Sequence, residues 1–312
     1  MLRALNTGVT GIRQFQTNLD TIGNNLANIN TIGFKAGRVE FADTLNQTLR
    51  AGTPDTAGRS GSASVQVGNG VDIASVRNLF TQGAVNQTGV PTDLAISGEG
   101  FFIVKNGSGD FFATRAGDFR VDTSGNLVTE QGFRVQGFNA PPAGLNYADS
   151  DAVGDIKLDK GTVPASLPAS AAAAGISNTS IDSSGKINIL LSDGSQYVRG
   201  QILLQRFLNP NALLKQGSNL YSGLTTAGPS SGPIGTTTPF GASPAGIATP
   251  GSSAQANTNG LGRIDSGALE ISNVDIAREF ANMITTQRAF QANAKVITTS
   301  DTILQEITQL VR

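Results

Sequence analysis

Six apolar residues spaced seven apart constrain this chain more than any other feature: Ile276, Met283, Phe290, Ile297, Leu304 and Val311. A seven-residue repeat keeps one helix face apolar turn after turn, as at a seam between coiled helices. Phe280 and Ala294 occupy the complementary position of the repeat. Gln287, Asp301 and Thr308 interrupt that second position, so an isolated two-stranded zipper is not expected. If Val274 to Val311 is helical, it extends about 57 Å at about 1.5 Å per residue. Core helices of globular domains usually run about 8–20 residues, so a stripe this long favours packing between subunits over burial in one core. Ser272 or Asn273 is the expected N-cap, with Asp275 and Glu279 near the positive end of the helix dipole.

A matching stripe lies at the other terminus. Leu2, Leu5, Val9, Ile12, Phe15, Leu19, Ile22, Leu26 and Ile29 follow one another in steps of three or four, the period of an amphipathic helix. Asn28, Asn30 and Gly33 disfavour its continuation, so the helix should stop before Gly33. Between the two ends the period changes to two. Residues 101–104, 111–114, 119–121, 133–135, 187–190 and 197–204 read as short strands. The turn segments 106–109, 122–125, 182–185 and 192–194 separate them and predict antiparallel pairing. The stretches 51–70, 141–175 and 225–262 are rich in small and polar residues and read as extended. The expected fold class is therefore α+β: paired long terminal helices in a coiled coil, a central antiparallel all-β domain, and extended linkers. The expected division is 1–35 with 269–312 as the helical domain, 36–70 with 225–268 as the connecting region, and 71–224 as the β domain.

Composition narrows the chemistry. Only 14% of the residues are charged and the formal net charge is −1, so no dense basic patch marks a nucleic-acid partner. A surface of this kind packs against copies of itself without accumulating charge repulsion. The chain has no Cys, His or Trp, which excludes thiolate and imidazole catalysis and the metal sites built on those ligands. No cofactor is expected. The N-terminal segment Met1 to Phe15 lacks the long apolar core of a cleavable signal peptide, and no stretch approaches 18 uninterrupted apolar residues. Neither membrane insertion nor a cleaved leader is expected.

The run NNLANINTIGFK, Asn24 to Lys35, closely resembles the signature near the N-terminus of bacterial flagellar rod and hook axial proteins. GEGFFIV (Gly98 to Val104), TRAGDFRVDTSGNLV (Thr114 to Val128), RFLNPNALLKQGSNLY (Arg206 to Tyr221) and the segment Ser272 to Gln305 are similar to further parts of that family. The resemblance implies terminal helices paired as an inner layer, β structure outside it, and subunits stacked helically into a tube. It implies self-association as a helical homopolymer, contact with other axial proteins (distal rod, hook cap, hook–filament junction), and passage through the flagellar type III export apparatus. The implied location is the flagellum, with the protein exported unfolded and uncleaved. QRAFQAN at Gln287 to Asn293, FAD at Phe41 to Asp43 and VQGF at Val135 to Phe138 look more like hook than rod proteins. The short connection before IDSSGKINILL leaves no room for the outer domain of many hook proteins, a compactness that resembles the distal rod protein. Weighting local motif identity above length puts hook first and distal rod second.

On this reading the polymerisation interface comprises Leu19, Ile22, Asn24, Asn25, Leu26, Asn28, Asn30 and Phe34 near the N-terminus. Ile276, Phe280, Met283, Phe290, Ile297, Leu304 and Val311 are its C-terminal part. The asparagine amides would bond backbone of neighbouring subunits, against the simpler reading of a frayed helix end. Asp149 with Asp151, and Asp155 with Asp159, lack the ligand spacing of a calcium loop and read as solvated acids. A phage or bacterial fibre leaves NNLANINTIGFK without an account. A carboxylate-based hydrolase is disfavoured by the low charge and the missing Trp platform.

Overall fold

The computed structural model describes residues 2–55, 60–139, 153–161, 164, 167–229, 256 and 260–310. The elements begin with α1 (Leu2–Ala27), β1 (Gly37–Asp43), β2 (Gln47–Arg50), β3 (Val65–Val67) and β4 (Val71–Asn78). Then come β5 (Val85–Gln87), β6 (Leu94–Ser97), β7 (Phe101–Lys105), β8 (Phe111–Thr114), β9 (Arg120–Val121), β10 (Leu127–Val128), β11 (Arg134–Phe138) and β12 (Val153–Asp155). They are followed by α2 (Ala169–Ala173), β13 (Ile176–Ile181), β14 (Lys186–Leu191), β15 (Gln196–Ile202), β16 (Leu204–Gln205), β17 (Leu214–Gly217) and β18 (Leu220–Ser222). The last are β19 (Arg263–Ser266), β20 (Ala268–Glu270) and α3 (Ile276–Leu310). The chain divides into two compact units, one of residues 1–29, 35–79 and 274–312, the other of 30–34 and 80–273.

The helical unit holds α1, α3 and a two-stranded arm. Strands β1 and β4 pair antiparallel from Gly37 opposite Asn78 to Asp43 opposite Val71, with a bulge at Glu40–Phe41. Strands β2 and β3 continue the arm. Within 36–70, the region expected to be an extended connection, residues 37–43, 47–50 and 65–67 are paired strand. Their pairing joins segments far apart in sequence, which no local turn signal announces. The acid Glu40 holds Arg38 at 2.9 Å and Arg77 at 2.6 Å across the arm. Those two guanidiniums keep its carboxyl below the usual range. Asp275 caps α3, its Oδ1 accepting the amides of Ala277 at 2.9 Å and Arg278 at 3.3 Å. This corrects the expected cap: Asn273 instead donates to the carbonyl and hydroxyl of Thr81 in the β unit.

The β unit is built on antiparallel ladders. Its main sheet runs β13-β14-β15-β11-β7-β8-β18-β17. The expected turns form as read: Gly125, Gly185 and Gly194 take the left-handed backbone that such turns require. Asp182 Oδ1 receives the amides of Ser184 and Lys186, both at 2.9 Å. Strand β7 explains why FFIV is an unbroken apolar run. Alternate side chains face opposite sides of a strand, and here both sides are covered. Phe102 and Val104 enter one core with Leu127, Ile187 and Ile202, whereas Phe101 and Ile103 enter another with Phe207, Leu213 and Tyr221.

Candidate functional site

The site indicated by the sequence, the terminal helices, can be built from its contacts. Gly8 of α1 lies against Ile297, Gly11 against Asn293, Asn18 against Thr286 and Asn25 against Glu279. As one number rises the other falls, so α1 and α3 pack antiparallel. A Cβ on Gly8 would lie 3.1 Å from Ile297 Cγ1, and one on Gly11 would lie 2.9 Å from Asn293 Nδ2. Glycine here brings the backbone of α1 close enough for α3 side chains to fill the space. Along α3 the residues withdrawn from solvent are Glu279, Met283, Thr286, Ala289, Phe290, Asn293, Ala294, Ile297, Ser300 and Leu304, and only Thr286 and Ser300 are fully buried. Met283, Phe290, Ile297 and Leu304 of the heptad stripe thus share the face that carries Ile297 onto a helix, but that helix is α1 of the same chain. The second seam position is shifted in part: Phe280 is exposed while Glu279 and Thr286 face inward, and Asn293 and Ala294 are both half-buried. Gly11 leaves room there for the Asn293 side chain, and Asn18 Nδ2 donates to Thr286 Oγ1 at 3.0 Å.

The shift leaves the large apolar residues of α3 outside. Ile276, Phe280, Ile284, Val296, Ile303 and Ile307 are each between 43% and 50% exposed. On α1, by contrast, the outward residues are polar, among them Arg13, Gln16, Asp20 and Asn24.

The asparagine run is used inside the chain. Asn25, 2% exposed, donates from Nδ2 to Gly37 O at 2.8 Å and accepts the Gly37 amide on Oδ1 at 2.8 Å. Its side chain imitates a strand partner for the first residue of β1. Asn28 Nδ2 donates to Asn24 O and Oδ1, both at 2.9 Å, adding to the bond that the Asn24 carbonyl already accepts from the Asn28 amide at the end of α1. Ile22 is buried, Leu19 and Leu26 are half-buried, and Asn24 is exposed. In the β unit Asn30 is exposed, whereas Phe34 is buried beneath the Lys215 ammonium, 3.8 Å from the ring centre. Burial also lowers the Lys215 pKa. Asn219, in a left-handed conformation, donates to Ile32 O at 2.6 Å. Of the residues read as interface, Ile22, Asn25 and Phe34 are spent within the chain. Asn24, Asn30, Ile276 and Phe280 remain open. Val311 lies outside the described residues, as do Asp149 and Asp151.

Asp155 binds Arg134 and Gln136, each at 2.8 Å, and Asp159 binds Arg199 at 2.9 Å. Among the described residues no three His, Cys, Asp or Glu side chains converge. No described helix is long and apolar enough to cross a membrane.

A helix pair from the two chain ends and an antiparallel β unit between them in sequence make up the described structure. Three family models match along the chain: "Flagella basal body rod protein" at residues 5–35, "Flagellar hook protein FlgE/F/G D1 domain" at 95–189, and "Flagellar basal body rod FlgEFG protein C-terminal" at 265–310. The flagellar basal-body rod protein FlgG of Bacillus subtilis is 38% identical over 312 residues, covering all of both chains. FlgG of Borreliella burgdorferi is 38% identical over 306 residues, 97% of each chain. The flagellar hook protein FlgE of the same organism is 28% identical over an alignment of 462 residues, with 99% of this chain and 100% of the hook protein covered. The chain belongs to the family of flagellar rod and hook axial proteins. It is a structural component of the flagellum. The expectation that put hook before rod is corrected here, because the rod relatives fit as well or better.

Proposed function

We propose that this chain is a distal rod subunit, polymerising into a straight tube that transmits rotation from the basal body to the hook. The observation that carries the rod reading is collinearity: rod relatives align end to end without added length, whereas the hook relative needs an alignment half as long again. Motifs such as QRAFQAN lie on α3, and contacts common to all axial subunits can conserve them regardless of member. They are therefore weaker discriminators than the size of the outer β structure.

Polymerisation is supported by how little the helical unit buries on its own. Among its described residues, only Ile22, Ala36 and Val39 are fully buried apolar side chains. Other apolar side chains of the unit, above all Phe280, Ile284, Val296 and Ile303 on α3 and Leu45 and Leu49 on the arm, are exposed. Neighbouring copies are the natural cover, and a charge-poor surface allows them to approach. The tube so built would enclose the export path and abut the hook at one end. Its subunits would reach their place through the flagellar type III apparatus without loss of the N-terminal helix.

Electron microscopy of the native assembly tests this reading. Straight, stiff tubes containing this subunit are expected; smoothly curved, bendable tubes would return the chain to the hook.

A further inference from the structure

Glu270, the last residue of β20, is fully buried and charged, and three chain segments meet on it. Its Oε1 accepts the amide of Gly83 at 2.8 Å, its Oε2 faces Arg115 Nη1 at 3.3 Å, and its carbonyl accepts the amide of Gly33 at 2.8 Å. Arg115, 4% exposed, also donates from Nη2 to Gly98 O at 2.8 Å and lies over the Phe101 ring, 5.3 Å from its centre. Burial lowers the Arg115 pKa, and the Glu270 carboxylate opposes that shift. The two glycines that reach Glu270 have no freedom to be anything else. A Cβ on Gly83 would sit 2.0 Å from Ile271 O, and one on Gly33, at φ 67°, would sit 2.6 Å from the Ala116 amide nitrogen.

These positions share one property along the chain. The β unit is entered at Asn30 and at Phe80 and left after Phe34 and after Asn273. Gly33, Gly83 and Glu270 each lie within a few residues of one of those crossings. We propose that the Arg115–Glu270 pair is an anchor that holds the roots of all the connecting segments together, so that they open as one body rather than one at a time. A buried ion pair suits that role better than an apolar plug. Losing either partner strands a charge in a dry interior, so partial release is costly. Any force carried along the chain between the two units passes through these roots. That load-carrying role rests on the rod reading above; the anchoring itself does not.

Native-state hydrogen exchange on the full-length wild-type chain tests the anchor without any substitution. The Gly33 and Gly83 amides are expected to exchange through one shared opening, with equal protection and equal dependence on urea. Different protection or different urea dependence would overturn the proposal. Glu270→Gln keeps an acceptor for Gly83 but leaves Arg115 uncompensated. It is expected to speed exchange at both glycines at least tenfold while amides of β7 and β14 stay within twofold of wild type. Equal acceleration throughout the β unit would make Glu270 a general core residue and also overturn the proposal. Tube curvature is read separately, so failure of the anchor leaves the rod assignment standing, and the reverse.

Discussion

At the scale of single residues, polar side chains in this protein act as substitutes for missing backbone partners. Asn25 completes the start of β1 with both atoms of its amide, which is why an aspartate or serine would serve less well: an ionised carboxylate only accepts, and a hydroxyl has a single short-reaching oxygen to meet both the N–H and the C=O of Gly37. Replacing Asn25 with alanine removes both bonds at a buried position and is expected to destabilise the helical unit by about 1–3 kcal/mol. Thermal melting followed by circular dichroism, with exchange of the Gly37 amide as the local probe, checks this. Asp118 provides a pH-dependent case. It lines a cleft of about 310 Å³ with Asn30, Glu130 and Asn219, and burial raises its pKa. A raised folded pKa means that the native state holds the proton more tightly than the unfolded chain. The resulting stabilisation is complete below the unfolded pKa and is lost as pH rises through the folded one. Asp118→Asn should therefore gain stability relative to wild type as pH rises through and above the ordinary carboxylate range, and show no such gain below it. A pH series of melting temperatures in which the two proteins run parallel would contradict it.

At the scale of elements, the helix pair shows what periodicity reveals and what it hides. Met283, Phe290, Ile297 and Leu304 were legible as one stripe because apolar spacing records which face seeks cover. The companion row was not legible. Asn293 fits the seam because Gly11 on the other helix yields space, and Thr286 because Asn18 faces it, and no pattern within α3 carries that information. The arm of β1 to β4 was missed because its pairing is non-local, and Glu270 because its partners at 33, 83 and 115 are scattered along the chain. The strands from β7 to β15 were legible because turn residues bracket them. The glycines of α1 give a sharp contrast. At Gly23 an added Cβ meets nothing within 4 Å, so Gly23→Ala should stabilise α1 by about 1 kcal/mol through helix propensity alone. Gly11→Val, whose added atoms meet Asn293, should cost about 1–3 kcal/mol through forced separation of the helices. Melting curves of the two variants that shift the same way would sink this account of the seam. On the outward face of α3, Phe280→Asp is expected to abolish polymerisation in a sedimentation assay while leaving the monomer's β unit intact. Normal assembly of this variant would remove α3's open face from the interface.

At the scale of the whole molecule, the two units differ in how far they depend on company. The β unit has two apolar cores fed from both faces of β7, so it buries enough side chains to stand alone. Among its described residues the helical unit fully buries three apolar side chains, and a long helix with much of its apolar surface in water is marginal. Covering Ile276, Phe280, Ile284, Val296, Ile303 and Ile307 with a neighbouring copy would supply further burial, so ordering of the helices and assembly are expected to be one coupled step. Limited proteolysis of the monomer should therefore cut within 1–29, 35–79 and 274–312 and leave a resistant fragment close to Phe80–Asn273. In the assembled tube the same sites should resist cleavage. If α1 and α3 in the isolated monomer already protect their amides as well as β7 and β14 do, the helical unit is self-sufficient and the coupling is absent.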